Sequence, residues 1–182
     1  MVVQETLPTG KYDRLSGSSN SGLGSGAYTT MLGVYSQTYL WLPNSRILRV
    51  RFNASQAFSS TVKLEGMSVY GTGAEFRGRA RPGASTFVDA AAEYSLTPRW
   101  ALALDVTYRY NNNTRVTGYD TANPTPAGIP MDSGSGYAVG LAPAIEYNWR
   151  HNLGVIVGTY AIVAGRSTAA TITPVVAINF FH

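Results

Sequence analysis

Large apolar residues alternate with small or polar residues along the segment Trp100–Tyr110, which reads WALALDVTYRY. Its even-numbered positions hold Trp, Leu, Val or Tyr, whereas its odd-numbered positions hold Ala, Asp, Thr or Arg. A period of two residues is typical of a β-strand whose two faces meet different environments. The segment is therefore predicted to be a strand with a large-residue face and a small-residue face.

The same alternation recurs along the chain, which is predicted to contain eight strands. Two of them, Tyr28–Trp41 and Leu153–Ala164, carry apolar residues on both parities and are interpreted as strands from their β-branched and aromatic content. The full set is Val2–Thr9, Tyr28–Trp41, Leu48–Phe58, Thr86–Leu96, Trp100–Tyr110, Tyr137–Trp149, Leu153–Ala164 and Thr171–Phe181. We therefore expect an all-β chain that forms a single domain over residues 1–182.

The predicted connections alternate between tight turns and long polar stretches. The tight turns are residues 43–46, 97–99 and 150–152, and the long stretches are Gly10–Gly26, Thr61–Ala84 and Asn111–Gly136. An antiparallel sheet with this order carries its long connections at one end. Strands of about ten residues joined in this way are typical of outer-membrane barrels.

Composition favours a bilayer over water around the large-residue face. Only 13% of the residues are charged, about half of the ~25% usual in a soluble domain. The small-residue face is mostly Ala, Gly, Ser and Thr, which would make a poor water-facing exterior. The sequence therefore predicts an antiparallel transmembrane β-barrel, with a soluble ligand-binding barrel as a further alternative.

Aromatic residues stand at both ends of the predicted apolar faces, where amphipathic rings meet a membrane interface. The predicted interface aromatics are Trp100, Tyr108, Tyr110, Tyr137, Tyr147, Trp149 and Phe180. A lipid-facing Arg or Lys would cost about 2–4 kcal/mol near the midplane. Charged residues within the strands are accordingly expected on the small-residue face.

Seven charged residues occupy that face and are the predicted pore-lining set. They are Arg49, Arg51, Asp89, Glu93, Asp105, Arg109 and Glu146. One interpretation is a mutually paired network within the lumen, and another is a ring that filters solutes by charge. The hypothesis is that the three arginines face acids on neighbouring strands.

The number of strands is left open by the sequence. A barrel of eight strands fills its interior with side chains, whereas the small-residue face is rich in Ala and Gly. This favours a wider pore, in which the chain would be the C-terminal part of a barrel of about twelve strands. The first strand, Val2–Thr9, is also shorter than the others.

Other chemistries find little support. The absence of Cys excludes disulfides and thiolate sites, and the two histidines, His151 and His182, have no evident catalytic or metal-ligating partners. The runs Gly22–Gly26 and Gly71–Gly73 do not lead from a strand into a helix, as phosphate cradles do. We expect no enzyme activity, no cofactor and no metal.

The positive charge is mild and dispersed. A formal net charge of +4 does not by itself imply nucleic acid. The cluster Arg77, Arg79 and Arg81 is expected to be a solvated loop, with an anionic surface such as lipid head groups as the alternative partner. Neither a secretory signal at Met1 nor an apolar run long enough for a spanning helix is visible.

Several short motifs resemble the outer-membrane family of phenol-degradation meta-pathway transporters. The similar segments are Leu7–Asp13 (LPTGKYD), Gly22–Tyr28 (GLGSGAY), Ser68–Thr72 (SVYGT), Phe76–Gly83 (FRGRARPG), Glu93–Thr97 (EYSLT), Thr173 with Pro174, and Phe181. The resemblance spans nearly the whole chain. Members of this family resemble longer barrels with a signal peptide and further N-terminal strands.

The resemblance implies passive passage of small hydrophobic or aromatic solutes across a bacterial outer membrane. The expected partners are outer-membrane lipids, such solutes, and the barrel-assembly machinery at the C-terminal strand. A structural or adhesive barrel that transports nothing is the alternative. The solute itself is not specified by any of these residues.

Overall fold

The computed structural model describes residues 1–122, 131–150 and 152–180. His151, Phe181, His182 and part of the predicted Asn111–Gly136 connection, residues 123–130, lie outside the described residues. The regular structure of the described part consists of strands and one short 3-10 helix, Ser19–Ser21. None of the described segments forms a helix long and apolar enough to cross a membrane.

The described residues form twelve strands, and all eight predicted strands are among them. The strands are β1 (Val2–Thr6), β2 (Thr29–Trp41), β3 (Ile47–Ser59), β4 (Val62–Glu65), β5 (Phe76–Arg81), β6 (Ser85–Ser95), β7 (Trp100–Asn111), β8 (Arg115–Asp120), β9 (Met131–Asp132), β10 (Gly136–Arg150), β11 (Leu153–Arg166) and β12 (Ile172–Phe180). Strand β1 ends before its predicted boundary, because Pro8 lacks a ladder donor and restricts Leu7.

Eight strands form the main sheet, in the order β1-β2-β3-β6-β7-β10-β11-β12. Every neighbouring pair is antiparallel. Within the described residues, β1 and β12 are the two edges of the sheet and do not pair with each other, so no closed barrel is detected. The all-β antiparallel part of the prediction is confirmed.

The two faces of the main sheet differ in exposure along its central strands, whereas both faces of the edge strand β12 are largely exposed. On the large-residue face, Leu104 is 45% exposed and Ile178 is 72% exposed. On the small-residue face, Ala91 is only 5% exposed and Gly140 is buried. In the described part, each main-sheet strand packs extensively only on its hydrogen-bonded neighbours. Longer side chains of the same face shelter these small residues, such as Tyr160 over Gly140, and the sheet also curls toward them.

Side-chain contacts across intervening strands indicate the same curvature. The hydroxyl groups of Thr107 on β7 and Tyr160 on β11 lie 3.1 Å apart across β10. The Asn179 side chain of β12 donates to Glu146 Oε1 of β10 at 3.4 Å, across β11. Strands two positions apart are separated by about 9.5 Å in a flat sheet. The small-residue face is therefore the concave one.

A second sheet, in the order β4-β5-β8-β9, continues the central strands of the main sheet. Ala57 of β3 pairs with Ser85 of β6. Val62, five residues after Ala57, pairs with Ala80, five residues before Ser85, so β4 and β5 keep the register of β3 and β6. The β6–β7 and β7–β10 registers continue unchanged into β5–β8 and β8–β9 in the same way.

This second sheet corrects the prediction for the long connections. Thr61–Ala84 and Asn111–Gly136 were expected to be irregular, and Arg77, Arg79 and Arg81 were expected in a solvated loop, whereas these arginines lie on strand β5. The alternation there is short and is interrupted by Gly78, which pairs with Gly118. Pairing with strands remote in sequence, rather than local pattern, stabilises such short strands.

The main hydrophobic core of the described chain lies on the second sheet. This core, called the cap core because it lies beyond one end of the main sheet, consists of Ala27, Val62, Leu64, Phe76, Ala80 and Val116, with Tyr12 and Tyr70 packed against it. The ring of Phe76 lies over Gly78 and Gly118, so a β-carbon at either glycine would meet the ring or the paired backbone at less than 3.0 Å. The two glycines make room for the largest apolar side chain of the core.

The connection between β1 and β2 covers this core. The amides of Arg14 and Leu15 donate to the carbonyls of Glu65 and Met67, each at 3.0 Å, and the amide of Val69 donates to the carbonyl of Tyr12 at 2.9 Å. Leu15 and Ala27 are buried by this packing. The described parts of all three predicted long connections therefore meet at one end of the main sheet and form one packed cap.

Candidate functional site: a charged groove on the concave face

A groove with a volume of about 300 Å³ runs across strands β3, β6, β7, β10, β11 and β12 on the small-residue face. Its lining includes five of the seven predicted pore-lining residues, namely Arg49, Arg51, Glu93, Asp105 and Glu146. Between them lie small side chains, such as Ala101, Ala103, Ala142 and Ala144. The sheet thus brings widely separated charges together around a space that small residues leave open.

The register explains two ion pairs in the groove. Arg49 pairs directly with Glu93 across β3 and β6, and their side chains form a salt bridge. Arg51 and Asp105 both lie opposite Ala91, one on each side, and their charges are 3.6 Å apart. The methyl side chain of Ala91 is short enough to let the two long side chains meet over it. Arg49 thus has its acid on the neighbouring strand, as the hypothesis requires, whereas the acid partner of Arg51 lies two strands away, on β7.

Asp89 lies deeper on the same face and is 9% exposed. Asn53, its partner on β3, donates from Nδ2 to Asp89 Oδ2 at 2.8 Å. Among the described residues, Asp89 Oδ1 and Arg49 Nε have no hydrogen-bond partner. A charged group that is left unpaired in a dry apolar core is very costly. Each group is nevertheless partly satisfied, Asp89 by Asn53 and Arg49 by Glu93.

The hypothesis is wrong for Arg109. Its cross-strand partner is Phe87, and the guanidinium carbon lies 5.2 Å from the centroid of the Phe87 ring, in a cation–π contact. No carboxylate of the described residues lies within salt-bridge distance of Arg109. The alternation predicted the face on which Arg109 lies, but the residues that pair with Arg109 on the adjacent strands, Phe87 and Ala138, are not acidic.

Three larger groove residues were missed by the sequence analysis: Ile156, Tyr160 and Val175. Ile156 and Tyr160 lie on β11, whose apolar residues fall on both parities, so its concave face was not readable. The register of β10 with β11 also shifts between Val139 and Gly140. Only the pairing of β11 with β10 shows which side of β11 is concave, and that pairing is a tertiary contact. Val175 lies on β12, within a predicted strand, but was not predicted as a site residue.

The predicted interface aromatics form two groups at opposite ends of the main sheet. Trp100 and Tyr147 are paired across β7 and β10 with ring centroids 4.5 Å apart, and Tyr147 lies 5.6 Å from Trp149. At the cap end, the rings of Tyr108 and Tyr137 are 6.4 Å apart, and Tyr110 pairs with Tyr137. Phe180, opposite Leu153, lies at the short-turn end.

The cap contains a tyrosine whose ionisation opposes packing. Burial raises the pKa of Tyr70 above its ordinary value of 10.0, and its hydroxyl donates to the carbonyl of Ser25 at 2.6 Å. Burial also raises the pKa of Tyr12, with Asp13 adding to the effect. Ionisation of either phenol would therefore oppose packing of the cap core.

We expect the cap to lose stability as the pH rises above about 10. The unfolded phenol ionises first, so stability is fully present below pH 10.0 and is lost as the pH passes the raised pKa of Tyr70. Protease sensitivity of the cap, measured against pH, tests this. Tyr70→Phe should flatten the alkaline dependence, whereas Tyr119→Phe, at an exposed position, should not. Equal curves for both variants would contradict the prediction.

No group of three or more His, Asp, Glu or Cys side chains that could hold a metal ion occurs among residues 1–122, 131–150 and 152–180. No protein-family model matches the chain, and a search of curated proteins finds no match to it. The candidate site is therefore described by its geometry alone: two ion pairs, a lining of small residues, and an uncovered large-residue face on the opposite side of the sheet.

Proposed function

We propose that the chain forms the wall of an outer-membrane β-barrel that allows small hydrophobic or aromatic solutes to pass. One contrast carries the proposal. In the main sheet, the even-numbered apolar residues of β7, such as Leu102 and Leu104, are uncovered, whereas in β8 the even-numbered Val116 is 3% exposed beneath the cap. A protein in water would need cover along the whole face. A bilayer around the main sheet supplies that cover where the chain itself does not.

The spacing of the aromatic groups supports a membrane span. Trp100 and Tyr110 belong to one parity of β7 and are ten residues apart. Ten residues extend about 33 Å along a strand, or about 25 Å in height at a tilt of about 40°. An apolar band of about 25 Å between aromatic girdles is usual for outer-membrane barrels.

The free edges of β1 and β12 supply the closing surfaces of the proposed barrel. In a bilayer every backbone donor and acceptor needs a partner within protein, so these edges either pair with each other or with further strands. Both eight strands and about twelve strands satisfy this requirement. We propose that β12 is also the contact for the barrel-assembly machinery, as the resemblance to the phenol-degradation transporters implies.

The groove supports an uncharged or aromatic solute better than a simple ion. Arg49 and Arg51 are each held by an acid, so their charges are largely compensated within the wall. The remaining lining is mainly apolar, with Ile156, Tyr160 and Val175 facing the space. Apolar walls with a few placed polar groups are typical of sites for small organic molecules.

The absence of cysteine allows a clean test of which face meets lipid. Leu104→Cys and Ala103→Cys are neighbours on β7 that point to opposite faces, and each would carry a nitroxide label in lipid vesicles. We expect the label at 104 to collide with oxygen, which concentrates in lipid, and the label at 103 to collide with a water-soluble nickel complex. The reverse result, or nickel access at both positions, would overturn the membrane proposal.

Uptake of small aromatic solutes into vesicles that contain the protein tests transport itself. We expect faster uptake than into protein-free vesicles, without dependence on an energy source. Lipid-facing labels together with no uptake would favour the structural or adhesive barrel, for which the packed cap offers a surface. Transport and membrane placement are therefore tested separately.

A further inference from the structure

The second sheet has one strongly basic surface. This basic face consists of Lys63, Arg79, Arg81 and Arg115, all exposed, on strands β4, β5 and β8. Lys63 is the direct cross-strand partner of Arg79, and Arg81 is that of Arg115. Side chains at such positions start from β-carbons about 5 Å apart. Four cationic groups thus crowd a small area of three strands.

These charges are only partly compensated. Arg115 lies 3.5 Å from Asp132, and the adjacent Arg77 lies 3.6 Å from Glu65. Among the described residues, no carboxylate lies within 4.0 Å of the charged groups of Lys63, Arg79 or Arg81. Like charges directly opposite each other destabilise a sheet. A bound anion would relieve this repulsion.

The parity of these residues relates the basic face to the groove. Odd-numbered residues of β3, β6 and β7 lie on the concave face, and the basic residues of β4, β5 and β8 are also odd-numbered in an unchanged register. The even-numbered side of the second sheet is covered by the β1–β2 connection. The basic face therefore continues the groove side and is not the side that continues the lipid-facing surface.

We propose that the basic face binds small organic anions and concentrates them at the cap end of the groove. Guanidinium groups on neighbouring strands suit carboxylate, sulfonate or phosphate groups. The groove itself contains both signs of charge, so attraction of anions depends on the face and not on the groove. Its place on a solute path rests on the proposed function, whereas anion binding by the face does not.

The probe for this site is methoxypyrene trisulfonate, a fluorescent organic anion. Its anisotropy is titrated with the full chain in neutral detergent micelles at low salt. The test variant is Arg79→Gln/Arg81→Gln, and the control is Lys11→Gln/Arg99→Gln, which removes the same charge from exposed residues elsewhere. We expect the test variant to bind about tenfold more weakly and the control to bind like the original chain.

Three outcomes would overturn the inference. They are no binding by the original chain, equal weakening in both variants, and loss of the difference between the original chain and the test variant when phosphatidylglycerol is added to the micelles. The last result would assign the face to lipid head groups. Because none of these measurements requires passage through a pore, failure here is distinguishable from failure of the transport or labelling tests.

Discussion

Leu104→Arg is expected to destabilise the chain in lipid by about 2–4 kcal/mol, whereas Ala103→Arg on the same strand is expected to be tolerated. Leu104 is 45% exposed at the middle of the large-residue face, opposite Ala92 and Pro143 on the adjacent strands. An arginine there would face hydrocarbon at a cost of about 2–4 kcal/mol. That is a large fraction of the ~5–15 kcal/mol that stabilises a typical folded protein.

Ala103 provides the matched control because it lies next to Leu104 but lines the groove. An arginine at this position would lie directly opposite Glu93, in a wet and charged space. The measurement is the folded fraction in lipid vesicles during urea titration, detected by the altered gel migration of unheated folded barrels. If Leu104→Arg folds as well as the original chain, or if Ala103→Arg fails alone, lipid does not surround the large-residue face.

Ala142→Trp is expected to reduce uptake of aromatic solutes about tenfold or more, because blocking side chains in a pore constriction act directly on flux. Ala142 lies opposite Asp105 and lines the groove of about 300 Å³. An indole at this point would occupy the space between β7 and β11 on the concave face.

Leu141→Trp is the control for this block. Leu141 precedes Ala142 and lies on the large-residue face opposite Val106, where an added ring would meet lipid and leave the groove open. The two variants are compared by initial uptake rates in vesicles with equal amounts of folded protein. Unchanged uptake by Ala142→Trp would mean that solutes take another route, and an equal loss in both variants would point to a folding defect.

Much of the architecture could be predicted because strand parity is a local property. The odd or even position of a residue such as Leu102, Asp105 or Glu146 predicts its face, since successive side chains of a strand point to opposite sides. Most main-sheet strands followed from that alternation and two from their β-branched and aromatic content, while the alternation also placed the charged residues on the small-residue face. Strand β1 was predicted too long because the effect of Pro8 was not included.

The partners of those residues were not predictable in the same way. Arg51 meets Asp105 because Ala91 lies between them, and Arg109 meets Phe87 because the register brings these two together. Register depends on how whole strands align, which no single segment specifies. The second sheet was missed for a similar reason. Gly78 and Gly118 interrupt the apolar alternation of their strands, and only their pairing shows that the Phe76 ring fills the space over them.

The sequence by itself determined which segments form the main sheet and, for the strands with clear alternation, which side is apolar, because parity depends on neighbours two residues apart. Only the tertiary structure decided which charges pair, where the groove lies, and that three long connections fold into one cap. Those features depend on contacts between residues far apart in the chain. Such contacts exist only after the strands have aligned and the sheet has curled.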